Sequence, residues 1–507
     1  MSLRQSMAGL HTWGGLLPSW LLFVILFAGS IACFDKELER WMRPALHVPG
    51  EHSLSLDQVR GWLLAKAPDA HAIWLRPPSE REPFWWAGYE PADERGFQSF
   101  ALDPSSGEAM PDTLGGAFFF TLHYDLHAGA IGMYLVAIAA MFMLVALVSG
   151  IIIHRRIFKD FFTLRPNANG QRAWLDAHNL FGVLGLPFHL LIAYSGLAIF
   201  VVFYMPAGVQ VGYQGDAERF FHEAMGTYQR EEVKRPAPPS VSLDALLEEA
   251  RQRWGGGQPG WISVHHPGDA AAVVDIRRFE RSKIVDFQWV LSYDAGTGEL
   301  LNEQRPYAAG YQSYAWLSNL HMAQFGGQLV RGLYLLLGLM GCAMLVGGLQ
   351  VWLRKREARG GRGIGLVRAL NGAVLGGLPL ASLGLLYGNR LLPAGLAERA
   401  SAEAYVFIGV WLLVALWALV RRNSGRVARD LLGSAAVLAL GLPWLNALTS
   451  TDGHLLASVP RGDWVLAGID LSLLATGLIC ALLAWRRPPV PTASPVAVRR
   501  QLAEESA

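Results

Sequence analysis

The sequence predicts a polytopic α-helical membrane protein of about eight transmembrane helices, with two small α+β lobes outside the bilayer. Three observations predict it. Hydrophobic residues fill 52% of 507 positions, more than an ordinary soluble enzyme carries. Eight runs are long and apolar enough to cross about 30 Å of hydrocarbon. They lie near 13–34, 129–153, 180–204, 329–353, 364–388, 404–420, 431–449 and 464–485. Finally, residues 1–356 read as two copies of one unit, span, lobe, span.

The order of elements follows from these runs. Residues 1–34 form the first transmembrane helix and 35–122 the first lobe; 123–204 hold the second and third spans with a basic loop. Residues 205–320 form the second lobe, 321–356 the fourth span and 357–487 a further four-helix membrane domain. A Pro-rich tail, 488–507, is expected to be disordered. Basic clusters follow the second span (Arg155, Arg156, Lys159, Arg165, Arg172), the fourth (Arg354, Lys355, Arg356, Arg359, Arg362, Arg368), the sixth (Arg421, Arg422, Arg426, Arg429) and the eighth (Arg486, Arg487, Arg499, Arg500). The positive-inside rule then puts both termini in the cytoplasm and both lobes on the other side. Ser30-Ile31-Ala32-Cys33 after the basic Arg4 faintly resembles a lipoprotein cleavage site. Ser stands where an aliphatic residue is wanted, and the repeat needs this helix retained.

The duplication is dense. His11-Thr-Trp-Gly-Gly15 opens the first span and His178-Asn-Leu-Phe-Gly182 the third; Leu122-His123 precedes the second and Leu320-His321 the fourth. Each lobe reads as a helix (55–66, 242–254) followed by strand-like runs, the first copy ending in Asp103-Pro-Ser-Ser-Gly107-Glu108 and the second in Asp294-Ala-Gly-Thr-Gly298-Glu299. Such a sequence after a strand marks a tight turn.

With two such units and these motifs, residues 8–356 resemble the PepSY-associated transmembrane proteins, which include bacterial inner-membrane ferric-siderophore reductases and iron-regulated membrane proteins. The resemblance implies PepSY-like lobes in the periplasm, haem b (two groups by this reading) held between the spans, and a reductive role in iron uptake. The last four spans lie outside it.

Net charge is +2, so nothing suggests nucleic acid. Cys33, Cys342 and Cys480 form no CxxC or CxxCH, which excludes c-type haem attachment and leaves no set for an iron–sulfur cluster. Histidine is therefore the expected axial ligand, with His11 and His178 near one membrane face and His123 or His127, with His321, near the other. His123 and His127 share a helix face, and either can be the ligand, leaving the other as support or substrate contact. His189, eleven residues past His178, lies on nearly the same helix face about 16 Å deeper. It either ligates iron opposite a histidine or a methionine (Met141, Met143, Met340 or Met344), or hydrogen-bonds a neighbouring helix. Arg331 either meets a haem propionate or snorkels to headgroups. Asp125 and Asp176 can fix imidazole tautomers or simply be solvated loop acids. His154 reads as an interfacial anchor. His265-His266 and the aromatic run Phe84-Trp85-Trp86 read as lobe packing, while His47, His52, His71 and His222 lack metal-ligand spacing.

The expected function is a membrane oxidoreductase that passes electrons to ferric iron or a ferric-siderophore outside. Without a nucleotide-binding fingerprint, its donor must be a membrane quinol or a cytoplasmic reductase. Two rivals stand beside it. In one, the lobes regulate a secreted peptidase and the spans only anchor them. In the other, the last four spans transport a substrate, against which stands their single evident acid, Asp470.

Overall fold

The computed structural model describes residues 2–46, 54–93, 96–154, 165, 170–237, 240–278, 284, 289–304, 307–323, 325–359 and 362–486. Arg155, Arg156, Lys159, Arg487, His47, His52 and the 488–507 tail lie outside the described residues. The chain divides into one unit of residues 1–352 with 393–400, and a second of 353–392 with 401–507.

In the first unit, α1 (Leu3–Leu16) starts on a reciprocal cap between Ser2 and Gln5. It meets α2 (Ser19–Ala32) at 60°. The second copy bends likewise, α7 (Gly170–Leu184) meeting α8 (Leu186–Ile199) at 65°. Pro18 and Pro187 sit at the two breaks; proline offers no N–H and its ring clashes with the carbonyl four residues back. The first and third spans are therefore bent pairs rather than straight helices. Counting them, up to eight helical segments among the described residues can cross a membrane. The short α3 (Asp35–Trp41) follows α2, and α5 (Ala117–Tyr124) leads into α6 (Gly129–Ile153). Helix α9 (Ala217–Met225) follows α8 in the chain, and α11 (Ala309–Met322) likewise leads into α12 (Gly327–Glu357). Helix α1 packs on α6, α2 on α5, and α8 on both α11 and α6.

The two expected lobes are one sheet. Seven antiparallel strands run in the order β3-β2-β1-β4-β5-β6-β7: β1 (Ala72–Arg76), β2 (Trp85–Glu90), β3 (Gln98–Leu102), β4 (Pro259–His265), β5 (Val273–Arg278), β6 (Trp289–Asp294) and β7 (Leu300–Glu303). The seam is β1 against β4, with Ile73 opposite Val264 and Leu75 opposite Ile262. Joining the copies here removes two edges whose unpaired backbone would invite other strands. Alternate residues (Ile73, Leu75, Ile262, Val264, Val274, Ile276) bury one face against α4 (Leu56–Lys66) and α10 (Leu243–Arg253). Both turns expected after a strand are present, with Asp103 Oδ1 accepting from Ser105 and Ser106, and Asp294 Oδ1 from Gly296 and Thr297.

Helices α4 and α10 cap each other. Asp244 accepts from the N–H groups of Leu56 (3.0 Å) and Asp57 (3.1 Å). Asp57 accepts from the Leu243 N–H (2.9 Å) and the Ser242 hydroxyl. Each carboxylate thus satisfies orphan donors of the other copy's helix and favours its positive end.

The second unit holds α13 (Ile364–Leu391), α14 (from Arg399 to Arg421), α15 (Val427–Thr449) and α16 (Trp464–Trp485). Helix α14 begins earlier than expected and so adds an acid, Glu403, to the expected Asp470 of α16. Both acids are 0% exposed; Asn389 donates to Glu403 (2.9 Å) and Asn446 to Asp470 (3.0 Å).

Burial pushes the Asp57 carboxyl up, but the Ser242 hydroxyl, the Leu243 N–H and Arg60 outweigh it and hold it below its ordinary value. A depressed folded value gives stability above the unfolded value of about 4 that is lost as pH falls through the folded one. Asp57→Ala is expected to lower stability by about 1–2 kcal/mol at neutral pH. Denaturant titration followed by Trp fluorescence should show that deficit shrinking below about pH 4.

Candidate functional site

The bends and the duplication bring four histidines into two pairs, each drawing one member from each copy. His11 on α1 and His178 on α7 have ring centres 6.1 Å apart, with planes at 73°. His123 on α5 and His321 on α11 have ring centres 5.9 Å apart, at 33°.

One local device holds every ring. His11 Nδ1 meets the Ala146 carbonyl at 2.9 Å and His178 Nδ1 the Met344 carbonyl at 2.8 Å. Ala146 and Met344 are equivalent, each 23 residues past His123 or His321. His123 Nδ1 meets the Ile25 carbonyl at 2.8 Å. His321 Nδ1 lies 3.0 Å from Ser195 Oγ, whose own hydrogen goes to the Leu191 carbonyl (2.6 Å); Ile192, equivalent to Ile25, stands one residue on from Leu191. A carbonyl only accepts, and Ser195 Oγ has given its hydrogen to Leu191, so Nδ1 carries the proton in each ring and Nε2 keeps its lone pair. Four residues beyond Ala146, Met344, Ile25 and Ile192 stands a glycine under the same ring. A Cβ on Gly150 would come 3.2 Å from His11, on Gly348 3.2 Å from His178, on Gly29 2.6 Å from His123 and on Gly196 2.9 Å from His321. Any side chain at Gly29 or Gly196 would displace its ring. Sequence reasoning missed this carbonyl-then-glycine pattern, although its repetition at matching offsets is visible in the chain.

His127 and His189 differ. His127 donates from Nε2 to the Phe118 carbonyl (2.9 Å), stacks on the Phe118 ring at 4.6 Å and is itself exposed. Between the two candidates left open on α5 and its following turn, the structure brings His123, and not His127, against His321. His189 is fully buried, with Nε2 facing the Leu337 carbonyl at 3.2 Å and Nδ1 without a partner. The bend at Gly185 separates it from His178, yet both rings point their bonds at α12. Neither Met141, Met143, Met340 nor Met344 pairs with it through an observed bond; Met344 lies by Gly182 instead.

The remaining candidates are engaged elsewhere. Arg331 Nη2 lies 3.3 Å from Glu37 Oε1, and its guanidinium sits 5.8 Å from the Phe34 ring. Glu37 also takes a bidentate bond from Arg81 (2.9 and 2.6 Å), so a buried carboxylate ties α12 to the loop before β2. Asp176 is buried and pairs with Arg165 (2.9 Å) and Arg172 (3.3 Å). Asp125 accepts from the His127 N–H. Neither acid fixes an imidazole; the carbonyls do. His154 Nε2 lies 3.5 Å from Asn179 Nδ2.

The donor set fits a bis-imidazole metal centre. Two imidazoles on one metal, with metal–nitrogen bonds of about 2 Å, place their ring centres about 6 Å apart. Both planes contain the bond axis, so the angle between them is free. A backbone acceptor on Nδ1 is the usual support for a ligating histidine.

Fold and site define a multi-pass membrane protein with a duplicated span–sheet–span core and a histidine pair linking the copies at two levels. The chain belongs to the family described as the PepSY-associated TM region, whose model matches residues 8–355. It is also 29% identical over 391 residues to the uncharacterized protein PA4219 of Pseudomonas aeruginosa, covering 74% of this chain and 96% of that protein.

Glu37→Ala removes the carboxylate shared by Arg81 and Arg331 and is expected to cost about 3 kcal/mol or more. A thermal melt of the detergent-extracted protein should show the midpoint falling, with Glu37→Gln falling less.

Proposed function

We propose that this chain is a haem b reductase of the bacterial inner membrane, with the sheet domain in the periplasm and both termini in the cytoplasm. His11 with His178 would hold one haem and His123 with His321 a second. The observation that supports this reading is the fourfold cradle: an acceptor from a neighbouring helix on Nδ1, a glycine under the ring, and paired ring centres about 6 Å apart. A lone-pair nitrogen in hydrocarbon finds no water, so an apolar layer retains such a set only at a cost. The haem supplies a one-electron carrier inside an insulating layer.

The chain's own residues do the rest. The Ala146, Met344 and Ile25 carbonyls and the Ser195 hydroxyl oxygen hold the Nδ1 protons, so that each Nε2 stays available and each ring stays in orientation. The glycines let the helices close to packing distance around the rings. Glu37, Arg81 and Arg331 anchor the sheet domain above the second pair. The overall reaction oxidises a membrane quinol or cytoplasmic reductase and reduces a ferric chelate, such as a ferric-siderophore, outside; ferrous iron is the poorer guest of oxygen donors. No acid–base residue is required, because the chemistry is electron transfer.

A reduced-minus-oxidised visible spectrum of the membrane-extracted protein tests this. Redox-sensitive b-type bands are expected, reduced by about half in His178→Ala and in His321→Ala, and retained in His127→Ala. A colourless native protein would contradict the reading and favour a peptidase-regulating or purely anchoring role.

A further inference from the structure

Where α15 ends and α16 begins, the second unit buries oxygens that no donor reaches. Asn446 and Asp470 are both 0% exposed. Asn446 Nδ2 donates to Asp470 Oδ2 (3.0 Å) and to the Gly453 carbonyl (3.1 Å). A primary amide has two such hydrogens, so both are spent, each on an oxygen. Its Oδ1, equally buried, has no hydrogen-bond partner among the described residues. The loop that brings Gly453 here is itself tied down. Ser450 Oγ accepts from the Gly453 N–H (2.8 Å), and His454 opens a single helical turn, Leu455–Ser458, that packs on α16. Ser458 is 0% exposed too, and its hydroxyl finds no partner among the described residues. The buried Nδ1 of His454 finds none either. A buried acceptor that no donor reaches keeps the full cost of leaving water.

We propose that Asp470 and Asn446 Oδ1, with the Ser458 hydroxyl as a further oxygen, form a binding site for a small monovalent cation such as sodium. Positive charge is what satisfies unmet oxygens beside a carboxylate, and the donor set points to a hard ion. Carboxylate, amide, hydroxyl and carbonyl oxygens suit such ions, whereas softer metals take sulfur or imidazole. Among the described residues no group of three or more His, Cys, Asp or Glu could hold a metal ion, and one carboxylate balances one charge rather than two. Membrane carriers hold sodium with carbonyls of irregular backbone near helix ends; the Gly453 carbonyl keeps a second lone pair for that use. The family match ends at residue 355, so the site lies in the part of the chain that the family does not account for. It stands independently of the haem reading.

Sodium is the probe. The full-length protein in detergent is melted in sodium chloride and in choline chloride at one ionic strength, followed by Trp fluorescence. Binding of radioactive sodium is measured directly by equilibrium dialysis. The melting midpoint is expected to rise with sodium and not with choline, because a ligand bound only by the folded state stabilises it by mass action. Asp470→Asn should abolish saturable sodium binding, and Ser458→Ala should weaken it about tenfold. Far-UV circular dichroism checks each variant; if Asp470→Asn does not fold, Ser458→Ala, which removes a single unpartnered hydroxyl, decides. Melting that is equal in sodium and choline, no saturable sodium binding, or binding unchanged in Ser458→Ala overturns the proposal and leaves water as the guest. None of these readouts uses the visible spectrum, so the site and the reductase reading fail separately.

Discussion

The arrangement of the histidines depends on one hydrogen bond made at all four rings: an imidazole Nδ1–H given to a neighbouring helix, to a carbonyl from His11, His123 and His178 and to Ser195 Oγ from His321. Those carbonyls already accept from their own helix, and their second lone pair takes the ring proton. The bond orients the ring, sets its tautomer and aims a lone pair into an apolar layer. Without water there, that lone pair has to be used or its cost absorbed. The glycine four residues on is the steric half of the same device, since a Cβ at Gly29 would stand 2.6 Å from the His123 ring.

The sheet domain repeats the logic with other groups. Two copies that could each have formed a small lobe share a seam through β1 and β4, and their helices exchange carboxylate caps through Asp57 and Asp244. Duplication followed by fusion across a pseudo-symmetric seam accounts for both levels. Copy-to-copy contacts pair the histidines between the helices, and copy-to-copy contacts close the sheet.

Much of this was legible in the chain. Apolar runs marked the spans, and matched histidine spacing showed the duplication and three of the four rings that pair, His11, His178 and His321. What remained hidden was long-range or directional. That β1 would meet β4 depends on strands nearly 200 residues apart. Pro18 and Pro187 were visible, but the apolar runs continue through them, so the bends were not read. His123 and His127 share a face by spacing alone, and only the Phe118 carbonyl, which takes the His127 Nε2 proton, separates them. Arg331 finds Glu37 across 294 positions, and no local pattern announces that. Glu403 escaped notice because the helix start was placed after it.

The most direct test of the central claim is low-temperature electron paramagnetic resonance of the oxidised, purified protein. Paired imidazoles on two iron centres should give two low-spin ferric signals, one lost in His11→Ala and the other in His123→Ala. A high-spin signal that survives both substitutions, or no iron signal from the native protein, would contradict the account.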